Sequence, residues 1–256
     1  MLGLWRHRHL VSSLVRRQYQ LRYRQSLAGF MWALIPPLAS LFAATLVFDK
    51  VAGIDTGSTP YPLFAFAALA PWTFFANGLS FGVPSVVSAQ QMVSRLRFPR
   101  AAIPIGAVGT SLIDLVVSSA LFVAFAYATG AGLPITALWF PVFAVIEIVL
   151  VTGLVLFGSA LNIFARDIRL AIPLIVQLWL FVTPVFYPLA DVPSNLRPLY
   201  LLNPMTGLVE SFRRALIYGL GPDPGLLVPA TAGAIVALVV GAWYFSATER
   251  RFADVI

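Results

Sequence analysis

The feature that most constrains this chain is a set of six long stretches almost without charge. They lie near 30–49, 63–88, 103–128, 138–163, 170–190 and 227–247. No charged residue falls between Gln25 and Phe48, or between Thr56 and Ser94. The third stretch is broken only by Asp114 and the fourth only by Glu147. A helix that crosses a bilayer needs about 20 predominantly apolar residues, and each of these runs is of that order. Backbone polar groups inside lipid must be satisfied within the segment, which calls for helices. The runs lack the strict alternation of a transmembrane β-barrel. Charged residues make up 11% of the 256, and mean hydropathy is +0.87. Soluble domains carry about 25% charged residues, so lipid must solvate much of this surface. The expected fold is an all-α membrane protein with six transmembrane helices.

Arginine and lysine orient the spans. The segment before the first span, the second and fourth loops and the C-terminus hold 13 of the 17 cations. The first, third and fifth loops hold the remaining 4, which are Lys50, Arg197, Arg213 and Arg214. Both termini are therefore expected in the cytoplasm. Residues 1–28 are too charged to contain the apolar core of a signal peptide, so the first run is expected to be a retained span. The net charge of +7 is spread over short loops, a pattern that suits topology and anionic headgroups rather than nucleic acid.

Two segments stand apart from the spans. Residues 1–29 form a basic unit in which Leu10, Val11, Leu14 and Val15 recur at helical spacing across 5–24, with arginines opposite. A basic amphipathic helix of this kind lies in the membrane interface. Residues 191–226 are too apolar for a solvated loop and too punctuated by proline and glycine to span. Either a re-entrant helical hairpin or an interfacial loop accounts for them. The remainder, 30–256, is one transmembrane domain.

The chemistry that is missing narrows the function. The only lysine is Lys50, inside Phe48-Asp49-Lys50-Val51, so no Gly-Lys phosphate-binding loop exists in this sequence. Cysteine is absent, which removes disulfides and thiolate metal sites. His7 and His9 lack a third ligand nearby and fit a polar interface face. No G-x-S-x-G elbow and no aspartate-rich pair for a metal-bound diphosphate are present. Nothing resembles a catalytic centre. Asp114 and Glu147, acids within spans, read either as an ion-coupling pair or as structural groups. The second loop, 89–100, reads as a short basic helix ended by Pro99, with Arg95, Arg97 and Arg100 around Leu96 and Phe98. It is either a docking element or a topology signal, and Arg166-Asp167 in the fourth loop has the same two readings. Trp72, Phe74, Phe75, Trp179, Phe181, Phe186 and Tyr187 sit near span ends, as an interfacial aromatic belt does. Stacking against sugar rings is the sharper alternative.

Six motifs in order give the chain a family resemblance. They are Arg22-Tyr-Arg-Gln-Ser-Leu-Ala-Gly-Phe-Met-Trp32 with Ala33-Leu-Ile-Pro-Pro-Leu38, Pro62 to Asn77, Leu96-Arg-Phe-Pro-Arg100, Asn162-Ile-Phe-Ala-Arg-Asp-Ile168, Thr183-Pro-Val-Phe-Tyr-Pro188 and Leu202-Asn-Pro-Met-Thr206. Together they resemble the permease subunits of ABC-2-type exporters that carry O-antigen and related lipid-linked polysaccharides. The resemblance covers almost the whole chain. It implies a homodimer in the inner membrane, joined by two copies of a separate ABC ATPase that binds ATP and magnesium, with no cofactor in this chain. It further implies that 89–100 is a coupling or gate helix, with Arg95, Arg97, Phe98, Arg100, Arg166 and Asp167 facing the ATPase. Arg16, Arg17, Arg22 and Arg24 would recruit the lipid headgroup, and 191–226 would shape the external mouth. The seven aromatics become glycan contacts.

In one respect the sequence departs from the pattern. Ala101 follows Arg100 where many relatives of this kind carry a carboxylate, so an ion pair expected at the gate is missing from the local sequence. Two rival functions remain. One is an ABC-2 exporter of another cargo, such as teichoic acid or a drug. The other is an ion-coupled carrier built on Asp114 and Glu147.

Overall fold

A computed structural model describes residue 15 and residues 31–57, 59–95 and 98–252. The 5–24 amphipathic helix therefore lies outside the described residues, apart from Val15. The first span, α1 (Met31–Ala44), ends in a π-helical turn, Thr45–Val51. Then follow α2 (Tyr61–Gly82), two short helices α3 (Ser85–Ser88) and α4 (Gln90–Arg95), and α5 (Ala102–Ala128). A 3-10 turn (Ile135–Trp139) leads into α6 (Phe140–Phe164), followed by α7 (Ile168–Val182). The last third holds α8 (Arg197–Leu201), α9 (Pro204–Leu216) and α10 (Pro224–Thr248). Among the described residues there is no strand, and five helical segments are long and apolar enough to cross a membrane. The chain is an all-α multi-pass membrane protein.

The sequence explains where these helices start and stop. Asn203 and Asp223 stand just before Pro204 and Pro224, and their side chains accept the Met205 and Gly225 amides at 3.1 and 2.9 Å. A capping oxygen followed by proline in the first turn is a strong helix start. α7 is shorter than the 170–190 run suggests. It ends at Thr183, because the residue before Pro184 is disfavoured in the helical region. Its 15 residues rise about 22 Å, against a hydrocarbon core of about 30 Å.

α2 is the hidden helix. Of its apolar stretch 78% is buried, against 17% for α1 and for α10. Phe64, Phe66, Phe74 and Phe75 are each at most 1% exposed. Small residues bring α6 against both its neighbours. A Cβ on Gly241 of α10 would overlap the Gly153 carbonyl oxygen of α6, and a Cβ on Gly78 of α2 would overlap Val151. In lipid there is little hydrophobic drive between helices, so this backbone approach carries much of the packing.

Within the 191–226 segment, α9 belongs to the protein interior while the stretch before it is largely exposed. Ten of the thirteen residues of α9 are buried, and the helix packs on α2, α6 and α10. Its partner α8 is a single turn with Leu199 and Leu202 exposed, so the expected hairpin has one full arm.

Candidate functional site

Loops of like parity gather at the same end of the bundle, even at one end and odd at the other. At one end the second loop, the fourth loop and the C-terminal turn (Glu249–Arg251) meet. Val86, Ile103, Leu156, Ile163, Phe245 and Phe252 form a second, smaller core there, and Met92, Phe98 and Ala101 pack against it. Phe252 is wholly buried. Its ring meets Phe245 edge-on at 5.2 Å and Phe164 at 6.3 Å.

Arg100 is held at this end by residues from far along the chain. Its backbone N–H donates to Glu249 Oε1 at 3.0 Å, and its guanidinium donates to the Glu249 carbonyl. Glu249 thus holds Arg100 through its backbone amide and its guanidinium, by two hydrogen bonds rather than by a carboxylate–guanidinium pair. Nearby, the Arg169 amide donates to Asn162 Oδ1 at 3.1 Å, which fixes the start of α7. Arg166, Asp167, Arg169, Arg250 and Arg251 are all exposed. Arg95 closes the six-residue helix α4, and Phe98 is half-buried. Arg97, Arg16, Arg17, Arg22 and Arg24 lie outside the described residues.

At the other end, residues 183–203 form a tightly hydrogen-bonded cap. Asn203 accepts from Trp179 Nε1 at 3.0 Å and donates to Thr183 Oγ1 at 2.9 Å. Tyr61 donates to the Phe186 carbonyl at 2.9 Å, and Tyr187 donates to the Phe181 carbonyl at 2.8 Å. Phe48, from the π-helical turn, stacks on Phe186 at 5.1 Å.

The centre of the cap is Arg213, a residue that sequence reasoning placed among the external loop cations. It is 0% exposed. Its guanidinium donates to the carbonyls of Pro184 and Val185, with longer contacts to Phe64 and Tyr187 at 3.4 and 3.5 Å. It lies 3.7 Å from the centroid of the Phe64 ring, and Glu210 is its ion partner at 3.5 Å. A signal for this was present. Met205, Leu208, Val209, Phe212 and Leu216 mark the apolar face of α9, and position 213 is four residues after Val209 on that same face. The other cations at this end also have local partners. Arg214 pairs with Asp223, Lys50 with Asp49, and Arg197 donates to the Val192 and Ala190 carbonyls.

The aromatics chosen from sequence divide sharply. Phe74 and Phe75 are 0% exposed, and Trp72 and Phe186 are also buried. Trp72 packs on Phe75, which meets Trp179 edge-on at 5.0 Å. Trp179 and Tyr187 are half-buried with their polar atoms engaged. Only Phe181 of the seven presents its ring outward, at 56% exposure. In the spans, Asn77 donates to Asp114 at 2.9 Å and ties α2 to α5. Glu147 is fully buried, and neither carboxylate oxygen has a hydrogen-bond partner among the described residues.

The chain was compared with known proteins. The model of the family described as ABC-2 type transporter matches residues 9–217. An O-antigen export system permease protein RfbA from Myxococcus xanthus is 29% identical over 99% of this chain and 97% of its own length. A protein of the same name from Klebsiella pneumoniae is 24% identical over 96% and 95%. The polysialic acid transport protein KpsM of Escherichia coli is 19% identical over 82% and 81%.

Proposed function

The chain belongs to the ABC-2 type transporter family, and from that membership we propose that it is the permease subunit of an ATP-driven exporter of lipid-linked polysaccharide. The observation that carries the proposal is its end-to-end likeness to O-antigen export permeases, in a chain whose helices are membrane-length. In this reading α7 counts as a sixth crossing, because its start lies with the fourth loop and its end with the cap. The end bearing Arg166, Arg169, Arg250 and Arg251 faces the cytoplasm of the inner membrane, as the positive-inside rule requires.

Two permeases pair, and each engages an ABC ATPase subunit that binds ATP and magnesium. Arg95, Arg97, Arg166 and Asp167 face that partner. The N-terminal arginines, Arg16, Arg17, Arg22 and Arg24, attract the phosphates of the lipid carrier as charged hydrogen-bond donors. The sugar chain passes between protomers along the exposed side of α7, where Phe181 offers an aromatic face. Trp72, Phe74, Phe75 and Phe186 support the wall from inside the protomer. ATP closure pushes on the second loop, and the spans part.

The test is co-expression with an ABC ATPase, followed by copurification in detergent and an ATP-dependent export assay. Alanine at both Arg97 and Arg166 is expected to abolish export while leaving membrane insertion intact. Normal export by that double variant overturns the docking role. Export that persists without any ATPase and stops when the proton gradient collapses overturns the whole reading in favour of a carrier using Asp114 and Glu147.

A further inference from the structure

The contact between Arg100 and Glu249 joins positions 149 residues apart, and it sits where force from an ATPase would enter. Arg100 lies just ahead of α5, so the Glu249 carboxylate meets a backbone N–H at the positive end of a helix. Three residues later along the same turn, Phe252 closes the smaller core against Phe245 and Phe164. The second-loop exit, the start of α5, the end of α6 and the end of α10 are thus held by one hydrogen-bonded clamp and one aromatic wedge. Farther into the bilayer, α6 and α10 touch backbone to backbone at Gly153 and Gly241. By contrast, only Ile172 and Val176 of α7 are buried, and α1 is buried over 17% of its apolar stretch.

We propose that Glu249–Phe252 is a positioning strut that makes the second loop, α5, α6 and α10 move as one block, so that force on the second loop displaces the block relative to α1 and α7. Glu249 acts through Arg100 and need not touch the substrate or ATP. The inference rests on the permease reading above. With the strut cut, the ATPase still docks and cycles, but its stroke dissipates in a loop no longer tied to the spans.

The experiment uses the full permease with its ATPase subunit in membrane vesicles, and reads ATP hydrolysis and polysaccharide export together. Glu249→Ala is expected to insert, to copurify with the ATPase and to hydrolyse ATP within twofold of the unaltered complex. Export per ATP is expected to fall at least fivefold. Glu249→Gln keeps an oxygen that accepts from the Arg100 amide, and is expected to restore the ratio to within twofold. An unchanged ratio in Glu249→Ala, or a Gln variant as defective as Ala, overturns the strut.

A second variant serves if Glu249→Ala does not reach the membrane. Phe252→Leu keeps an apolar side chain in the smaller core and removes the ring that meets Phe245 and Phe164. It is expected to copurify with the ATPase, to hydrolyse ATP within twofold of the unaltered complex and to lose export per ATP at least twofold. An unchanged ratio in Phe252→Leu overturns the proposal. If the unaltered complex shows no ATP-dependent export, it is the permease reading that fails, whatever the variants do.

Discussion

Replacing Arg213 by methionine isolates what a buried cation does in this fold. Methionine keeps an unbranched apolar stem in the cavity and removes only the guanidinium. The Pro184 and Val185 carbonyls, now accepting from Arg213, remain buried and lose their donor. Hydrogen bonds to charged groups contribute about 1.5–3 kcal/mol each, and orphaned buried acceptors cost a similar amount. The loss is therefore about 3–6 kcal/mol. It matches the roughly 3–5 kcal/mol seen when one partner of a buried ionic group is removed. The ion pair adds little to this, since Glu210 is 17% exposed and can be hydrated once Arg213 is gone. At about 2–4 °C per kcal/mol for a chain of this size, the purified permease should melt at least about 6 °C lower in detergent. Limited proteolysis should cut first within 183–203. Lysine keeps the charge near Phe64 but not the planar fork, and should fall between the two. A methionine variant that melts within about 2 °C of the unaltered protein, with 183–203 still protected, would refute the assignment of Arg213 as the clamp of the cap.

Other substitutions test other joints. Gly241→Leu puts a side chain where the α6 backbone now lies. Overpacking of this kind costs about 1–3 kcal/mol or more, and inserted yield should drop well below that of Gly221→Ala, where nothing lies within 4 Å. Asn203→Ala removes the α9 cap and the Trp179 and Thr183 bonds. A cap alone is worth about 1 kcal/mol, so a melting shift larger than that of Thr231→Ala, which loses one intrahelical bond, is expected. Glu147→Gln keeps shape without charge and should export normally with ATP present. Export that falls tenfold in that variant would point back to ion coupling.

Five of the six expected crossings coincide with membrane-length helices, four of them within a few residues at each end, because charge-free length is a coarse signal that needs no tertiary knowledge. The errors have local causes. The 63–88 run continued past Gly82, since Phe81-Gly-Val-Pro84 carries no charge although glycine and proline end the helix there. The 170–190 run overshot for the same reason at Thr183-Pro184. The site was less legible. Glu249 lies 149 positions from Arg100, and no spacing rule connects them. Trp72, Phe74 and Phe75 lie midway along α2 rather than at its end, and composition alone does not separate an interfacial belt from the middle of a buried helix. Arg213 was counted as a loop charge since charge counting ignores which face of a short helix a residue occupies.

Both ends of the bundle are fastened by residues made late in synthesis. Arg213 gathers Phe64, Pro184 and Val185, and Glu249 gathers Arg100. A ribosome-bound chain that has emerged only to α7 lacks the membrane-length helix α10 and has neither fastening. Such a nascent intermediate has its second loop untethered from Glu249 and the Pro184 and Val185 carbonyls without Arg213. Quality control that inspects the permease before its last helix is released meets an unfinished bundle. The fastened one exists only after the final turn has folded back onto Arg100.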